Sequence, residues 1–233
     1  MSLPEVFTAV FAPALLWAAY HYHKDRHQPE PALVLAALYG LGLAAAWFNM
    51  HVHQALYAIG LNADPYALAR EEHWWELLFF SVFGIGLGEE LSKFVPFALL
   101  ATRLKHFDEP IDGIIYASFV ALGFASFENL QHLRYLDGWA GVGRAVASPA
   151  VHVVFASIWG YLYGCALLRR RGKWRAAGTG LALAALTHGV YDFIAIGFSS
   201  WAHVVPPAIL LGLWLWRLYL MRRLQGRPAQ QRR

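Results

Sequence analysis

Four strongly apolar stretches of the sequence contain side chains that can do acid–base or metal chemistry. They include the sequences GEELSKF, FENLQH, SPAVHVVF and THGVYDF. Peptide hydrolysis needs a base that activates water, groups that polarise a carbonyl, and a proton donor. Carboxylates and imidazoles supply all three, and two imidazoles with one carboxylate are also a known zinc ligand set. The candidate residues are Glu89, Glu90, Lys93, Glu128, Asn129, His132, His152, His188 and Asp192.

Several of these residues lie four positions apart, which places them on one face of a helix. Glu89 and Lys93 form one such pair, and His188 and Asp192 form another. We expect the first two to form an ion pair, and we expect Asp192 to fix the tautomer of His188. Two adjacent carboxylates beside one lysine leave a surplus negative charge, which requires a proton, a metal or another partner.

The residue types are compatible with two hydrolytic mechanisms. In the first, His152, His188 and one glutamate bind Zn²⁺ and leave one position open for water. In the second, a glutamate activates water without a metal and the histidines stabilise the oxyanion. The sequence contains no HExxH or GxSxG motif, and its aspartates do not form the pair that an aspartyl protease requires.

Composition indicates that these residues belong to a membrane protein. Of the 233 residues, 58% are hydrophobic and 15% are charged, against about 25% charged in soluble domains. Lipid is therefore the expected solvent for much of the surface. Ionisable groups at membrane depth are costly unless they are paired or face a polar cavity, so they are functional candidates. The single cysteine, Cys165, excludes a disulfide framework and a Cys-based zinc cluster.

Seven segments are long and apolar enough to span a bilayer. Asp64 and Pro65 predict the start of a short helix, which we expect to lie in the membrane interface before the third span. The predicted fold class is all-α, a polytopic transmembrane helix bundle in a single domain over residues 1–221, with its catalytic core at about 74–199 and a disordered cytoplasmic tail at 222–233. The predicted spans are 5–21, 32–50, 74–102, 111–133, 145–168, 176–199 and 203–221.

The distribution of Lys and Arg predicts that the N-terminus is outside and the C-terminus inside. The loop at 169–175 alone holds five basic residues, and with seven spans fourteen basic residues fall on the inner side. Only Arg70, Arg134 and Arg144 fall on the outer side. The positive net charge is therefore a topological signal and predicts no nucleic-acid partner. In this orientation the buried polar groups lie in the outer half of the membrane.

Taken in order, the motifs resemble the PrsW family of intramembrane proteases. The matching residues are EELSK at 89–93, DGIIYASFVALGFASFEN at 112–129, His152 in HVVFASIWGYLYG, and HGVYD at 188–192. The resemblance covers about 89–192, and this family is similar to the CAAX-processing and bacteriocin-immunity proteases. It implies a membrane-embedded, glutamate- or metal-dependent endopeptidase acting on a membrane-anchored protein substrate. The family prototype cleaves an anti-sigma factor on its outer side.

The resemblance also suggests roles for individual residues. Glu89 and Glu90 correspond to the family's paired glutamates, and we interpret one of them as the general base. The catalytic set is Glu89, Glu90, Lys93 and Asp192; the metal or oxyanion ligands are Glu128, His152 and His188, with Zn²⁺ as the cofactor of the metal-dependent mechanism. Asn129 and His132 are further candidates, and His132 stands where the family usually has Tyr.

Two other functions use the same residues. A proton- or ion-coupled transporter also needs buried carboxylates and histidines, but it predicts an inverted repeat that the sequence does not show. A non-catalytic scaffold that binds membrane partners predicts no bound metal and no effect of His152→Ala. The expected location is a bacterial inner membrane, with the protein as a multi-pass component of the lipid bilayer.

Overall fold

A computed structural model describes residues 3–24, 29–61, 63–132 and 138–225. Helices make up nearly all of this part of the chain, which confirms the all-α fold class. The short helices are α3 (Pro65–Arg70) and α9 (Ser199–Ala202), and a 3-10 turn covers Ala101–Arg103. The long helical stretches are α1 (Leu3–Lys24), α2 (Ala32–Ala58), α4 (Trp74–Phe79) with π1 (Phe80–Leu87) and α5 (Gly88–Leu99), α6 (Pro110–His132), α7 (Gly138–Leu168), α8 (Lys173–Gly197) and α10 (Val205–Gln225).

Five helical segments within the described residues are long and apolar enough to cross a membrane. The count of seven spans and the outward N-terminus remain predictions. The last helix continues to Gln225, so 222–225 are helical, and the rest of the expected tail lies outside the described residues. The qualifying segments are Ala32–Ala58, Pro110–His132, Gly141–Leu168, Lys173–Gly197 and Ser199–Gln225.

Helix α6 forms the centre of the bundle. Its side chains from Ile111 to Ser126 are buried almost without interruption, and it packs against α1, α2, α5 and α7. A helix that is apolar on every face is expected at the core of such a bundle, surrounded by other helices. Outer helices instead expose large apolar side chains, for example Trp47, Leu186 and Leu211. A surface of this kind suits lipid and is costly in water.

The predicted short helix before the third span is present as α3. The Asp64 side chain accepts hydrogen bonds from the backbone N–H groups of Tyr66 and Ala67, at 2.9 and 3.2 Å, and Pro65 occupies the first turn. These are the capping features that the sequence predicts. The helix ends at Arg70, three residues before the predicted end, and a turn then leads into Trp74.

The third long stretch changes its winding before it reaches the paired glutamates. Eight residues, Phe80–Leu87, form π1, in which each backbone N–H bonds one residue further back than in an α-helix. α8 packs closely against this segment. A Cβ on Gly86 would lie 2.5 Å from the carbonyl oxygen of Ala185, so only glycine permits the two backbones to approach this closely. The contact positions His188 beside the glutamates of α5.

Candidate active site

Four helices place the sequence-predicted polar residues in one buried cluster. α5 contributes Glu89, Glu90 and Lys93, α7 contributes His152, and α8 contributes His188. Each of these five residues is at most 7% exposed. Glu128 on α6 and Asp192 on α8 lie at the edge of the same cluster. The convergence of several helices on one site, which the sequence predicts, is therefore observed.

Glu90 is the most enclosed member of the cluster. Its Oε1 accepts hydrogen bonds from Lys93 Nζ at 2.6 Å and from His188 Nδ1 at 2.9 Å. Its Oε2 accepts a hydrogen bond from Trp159 Nε1 at 2.8 Å, and the residue has no exposed surface. A carboxylate with three donors and no solvent contact is well suited to holding its neighbours in place, and poorly placed to meet a substrate.

Glu89 has the opposite environment. It lines a cavity of about 460 Å³, and its buried Oε2 has no hydrogen-bond partner among the described residues. That oxygen lies 3.7 Å from His152 Nδ1, 3.9 Å from His188 Nε2 and 3.9 Å from Lys93 Nζ. A buried carboxylate oxygen surrounded by nitrogen atoms just beyond bonding distance can accept a bound ion or a water molecule.

Each of the two histidines makes its shortest carboxylate contact through one ring nitrogen. His152 Nε2 lies 2.7 Å from Glu128 Oε2, and His188 Nδ1 lies 2.9 Å from Glu90 Oε1. When these nitrogens donate their protons to the carboxylates, the opposite nitrogens, which are those nearest Glu89, present their lone pairs. The same arrangement of carboxylate and imidazole orients zinc-binding histidines in many enzymes.

A set of donor atoms that fits a metal ion follows from this geometry. One ligand atom from each of Glu89, His152 and His188 lies within 4.8 Å of the other two. The sequence hypothesis placed Glu128, not Glu89, in the metal set. The structure brings Glu128 to the outer nitrogen of His152, where its other oxygen accepts a hydrogen bond from Arg144 at 3.0 Å.

Lys93 makes its shortest contact with Glu90, at 2.6 Å, and lies 3.9 Å from Glu89. The expected pairing at four-residue spacing is thus the weaker of the two, because residues three apart on a helix are also neighbours. Lys93 Nζ also lies 3.1 Å from His152 Nδ1 and 4.6 Å from the centre of the Phe124 ring. The ammonium group is therefore part of the cluster and does not only neutralise one glutamate.

The remaining candidates lie around the cluster. Asp192 Oδ2 is 3.4 Å from His188 Nε2, one helical turn away as expected. His132 lines the cavity, and its Nδ1 lies 3.2 Å from an Arg144 nitrogen. Asn129 points elsewhere: its amide nitrogen donates to the carbonyl of Ala145 at 3.4 Å and joins α6 to α7. Of the two further candidates, only His132 reaches the cavity.

Sequence reasoning missed two residues that contact the site. Trp159 donates a hydrogen bond to Glu90, and it looks like an ordinary core residue in HVVFASIWGYLYG. Arg144 was interpreted as a charge in an outer loop, but it lies within α7 and bonds Glu128. An arginine eight residues before a buried histidine lies roughly two helical turns from it, and this spacing was the available signal.

Comparison with known proteins identifies the family of this chain. The family model described as PrsW family intramembrane metalloprotease matches residues 28–220. Protease PrsW of Oceanobacillus iheyensis is 32% identical over 94% of this chain and 95% of its own length. Protease PrsW of Geobacillus kaustophilus is 27% identical, over 97% of this chain and 95% of its own length, and that of Bacillus subtilis is 28% identical, over 90% and 91%. No solved structure matches the chain. The chain therefore belongs to the PrsW family of intramembrane proteases.

Proposed function

We propose that this protein hydrolyses a peptide bond of a membrane-anchored substrate at a Zn²⁺ site formed by Glu89, His152 and His188. The observation that carries the proposal is the pairing of each histidine with its own carboxylate, Glu128 or Glu90, on the nitrogen that faces away from Glu89. The family membership favours a protease over the transporter alternative. Anti-sigma-factor-like regulators are one substrate class that fits such a protease.

The donor set is suited to zinc. Two imidazoles and one carboxylate are the protein ligands of a well-known class of catalytic zinc site, which keeps one position for water. The Oε2 of Glu89, which has no hydrogen-bond partner in the part of the chain that the structure describes, provides the carboxylate oxygen that such a site needs. Binding at His152 Nδ1 requires Lys93 to release that nitrogen and keep its shorter contact with Glu90. When bound, zinc lowers the pKa of its water and polarises the scissile carbonyl.

The protein residues have separate roles in this proposal. Glu89 is the carboxylate ligand in the zinc mechanism, because it borders the cavity and lies beside both histidines, whereas Glu90 does not border the cavity. Glu90 holds His188 and Lys93, and Glu128 holds His152. The division differs from the sequence hypothesis, in which either Glu89 or Glu90 was the base and Glu128 was a ligand.

A metal-free mechanism uses the same cavity and is the second candidate. In it, Glu89 accepts a proton from water, and the ammonium group of Lys93 with the imidazole of His152 stabilises the oxyanion. The observation that favours it is the 3.1 Å distance between Lys93 Nζ and His152 Nδ1, since that contact occupies a nitrogen that zinc would need.

The location is part of the proposal. An intramembrane protease is integral to the lipid bilayer, and we propose the bacterial inner membrane with seven spans, the N-terminus outside and the site in the outer half. We propose a single transmembrane domain over residues 1–221, followed by cytoplasmic residues of which 222–225 still belong to the last helix.

One experiment separates the mechanisms and tests the activity. Purified protein is reconstituted in liposomes with a single-span peptide labelled at both ends, and zinc content and cleavage are measured on the same preparations. We expect one zinc per chain, and loss of both zinc and cleavage in a His152→Ala/His188→Ala double variant. Glu76→Gln, at an exposed position on α4, is the control. Equal, near-zero zinc in wild type and double variant with intact cleavage in wild type would favour the metal-free mechanism; full cleavage by the double variant would exclude both.

A further inference from the structure

An apolar groove lies beside the active-site cavity, on the outside of the bundle. It has a volume of about 530 Å³ and runs between α2 on one side and π1 with α5 on the other. Its walls include large apolar side chains that are more than a third exposed. In a membrane protein, such a surface faces the lipid or a molecule that comes from the lipid. The exposed wall residues are Phe48, Val52, Phe83, Leu91 and Val95.

The groove adjoins the active-site cavity and shares wall residues with it. Asn49 and His53 on α2 line both spaces. On the opposite side, Gly88 lines the groove, and the next residue, Glu89, lines the cavity. The shortest route from the lipid-facing surface to Glu89 therefore leads between α2 and α5, past Asn49 and His53 on one side and Gly88 on the other.

The change in polarity along this path fits one kind of occupant. An extended peptide segment in hydrocarbon must satisfy its backbone N–H and C=O groups, and the apolar groove gives them few partners. A helical segment keeps these bonds internally, so it suits the groove. Further in, the cavity is lined by the amide side chains of Asn49, Gln54 and Gln131. Each amide already makes one hydrogen bond within the protein and keeps further donor and acceptor positions for a backbone that has unwound.

We propose that this groove docks the apolar, membrane-embedded segment of the substrate, and that Gly88 keeps open the passage from the groove to Glu89. The proposal rests on the proposed protease function and adds the route by which the substrate arrives. The groove's occupant is thus a transmembrane segment of another protein, recognised by its apolar side chains.

The local geometry shows why the side chain at position 88 has to be small. A Cβ placed on Gly88 would lie 3.9 Å from Asn49 Oδ1 and 3.9 Å from His53 Nε2. A methyl group therefore fits in ordinary contact, while a longer side chain would extend into the space between the two residues that join groove and cavity. Ala and Leu both favour helix more than Gly does, so neither substitution weakens α5 through its backbone.

Photo-crosslinking tests the docking surface without requiring cleavage. Benzoylphenylalanine replaces Leu91 in the groove or Leu186 on α8, which are similarly exposed at 43% and 51%. Both are made in a Glu89→Gln background and reconstituted with a labelled single-span Leu/Ala peptide that carries a Gly-Gly pair. We expect several-fold more peptide adduct at position 91 than at position 186. Equal adduct at both positions would overturn the docking surface.

Substitution of Gly88 tests the passage. Gly88→Ala should cleave the single-span peptide at close to the wild-type rate, and Gly88→Leu should lose about tenfold or more, equivalent to about 1.4 kcal/mol in the barrier. Gly178→Leu is the matched control, because a Cβ there meets no atom within 4 Å. Zinc content, measured on each variant, should not change.

The outcomes keep the two proposals distinct. Cleavage by Gly88→Leu at the wild-type rate would overturn the passage and leave the protease function intact. Specific crosslinking at Leu91 without any cleavage by wild type would contradict the proposed function and support the docking surface. Loss of zinc in Gly88→Leu would show that the leucine side chain disturbs the metal site itself, and would contradict a blocked passage as the cause of the lost cleavage.

Discussion

Zinc affinity in a series of glutamate-to-glutamine variants is expected to identify the carboxylate that binds the metal. Glutamine keeps the shape of the side chain and removes its charge. Glu89→Gln should abolish zinc binding, since it removes one of three protein ligands from the site. Glu90→Gln and Glu128→Gln should weaken binding without abolishing it, since each carboxylate contacts the far nitrogen of a histidine.

The size of the smaller effect follows from the hydrogen bonds. Glu90 accepts from His188 Nδ1 at 2.9 Å, and Glu128 accepts from His152 Nε2 at 2.7 Å. A hydrogen bond to a charged group contributes about 1.5–3 kcal/mol, and a neutral one contributes about 0.5–1.5 kcal/mol. Losing the charge therefore costs about 1–1.5 kcal/mol, or roughly tenfold in zinc affinity for each variant. The loss falls at the lower end of the ~10–100-fold range known for residues that orient metal ligands.

The assay is competition with a fluorescent zinc chelator, on protein purified in detergent. Removing Glu90 takes away the closest partner of Lys93, so each measurement uses only the monodisperse fraction from size-exclusion chromatography. Glu76→Gln controls for the loss of a charge at an exposed site. If Glu128→Gln loses zinc completely and Glu89→Gln keeps it, Glu128 is the ligand, and the assignment drawn from the distances is wrong.

Three further expectations follow from the structure. Trp159→Phe removes the N–H donor to Glu90 Oε2 and should lower stability by about 1–3 kcal/mol, seen as a lower melting temperature in detergent with zinc stoichiometry unchanged; Trp174→Phe, at an exposed site, should show no such shift. Arg144→Gln removes the hydrogen-bond donor to Glu128 Oε1 and should slow peptide cleavage several-fold while the protein keeps one zinc. Arg144→Lys should recover part of the cleavage rate, and equal rates for both variants and wild type would contradict a role for this contact. Burial raises the pKa of Glu30, which lies outside the predicted spans, so the folded protein holds the carboxyl proton more tightly than the unfolded chain does. The stability of the protein should therefore decrease as the pH rises from the ordinary glutamate range through the raised pKa. Melting temperatures measured against pH should show this decrease in wild type, and a smaller decrease in Glu30→Gln.

Much of the site could be predicted because the cost of burying charge is visible in the sequence. Glu89, Glu90, His152 and His188 stand out as ionisable residues within apolar helices, and lipid leaves few reasons for such residues other than function. The same argument places them together, since buried charges need partners. The structure confirms this convergence and the all-α fold.

The assignment of roles within the site could not be predicted, since it depends on rotamers and on helix rotation. Glu89 and Glu90 are adjacent in the sequence, and only their surroundings in the folded protein distinguish them: three donors for one, a cavity for the other. Helical spacing predicted Glu89 as the partner of Lys93, but Glu90 is closer, because residues three and four apart on a helix both lie within reach. Trp159 was missed because its single polar atom gives no signal in an apolar sequence.

The π-helical winding of Phe80–Leu87 fixes the rotational phase between the two ends of the third long helical stretch. A helix of ordinary winding turns by about 100° for each residue. The π-helical segment has wider turns and rotates by a different angle for each residue. The three-to-four-residue periodicity that assigns side chains to helix faces therefore does not continue across this segment from Trp74 to Glu89. Inserting or deleting one residue within it would either rewind the segment or turn the glutamate pair by about 100°, away from both histidines. The number of residues between Trp74 and the glutamate pair is thus a structural constraint of its own, independent of which side chains occupy those positions.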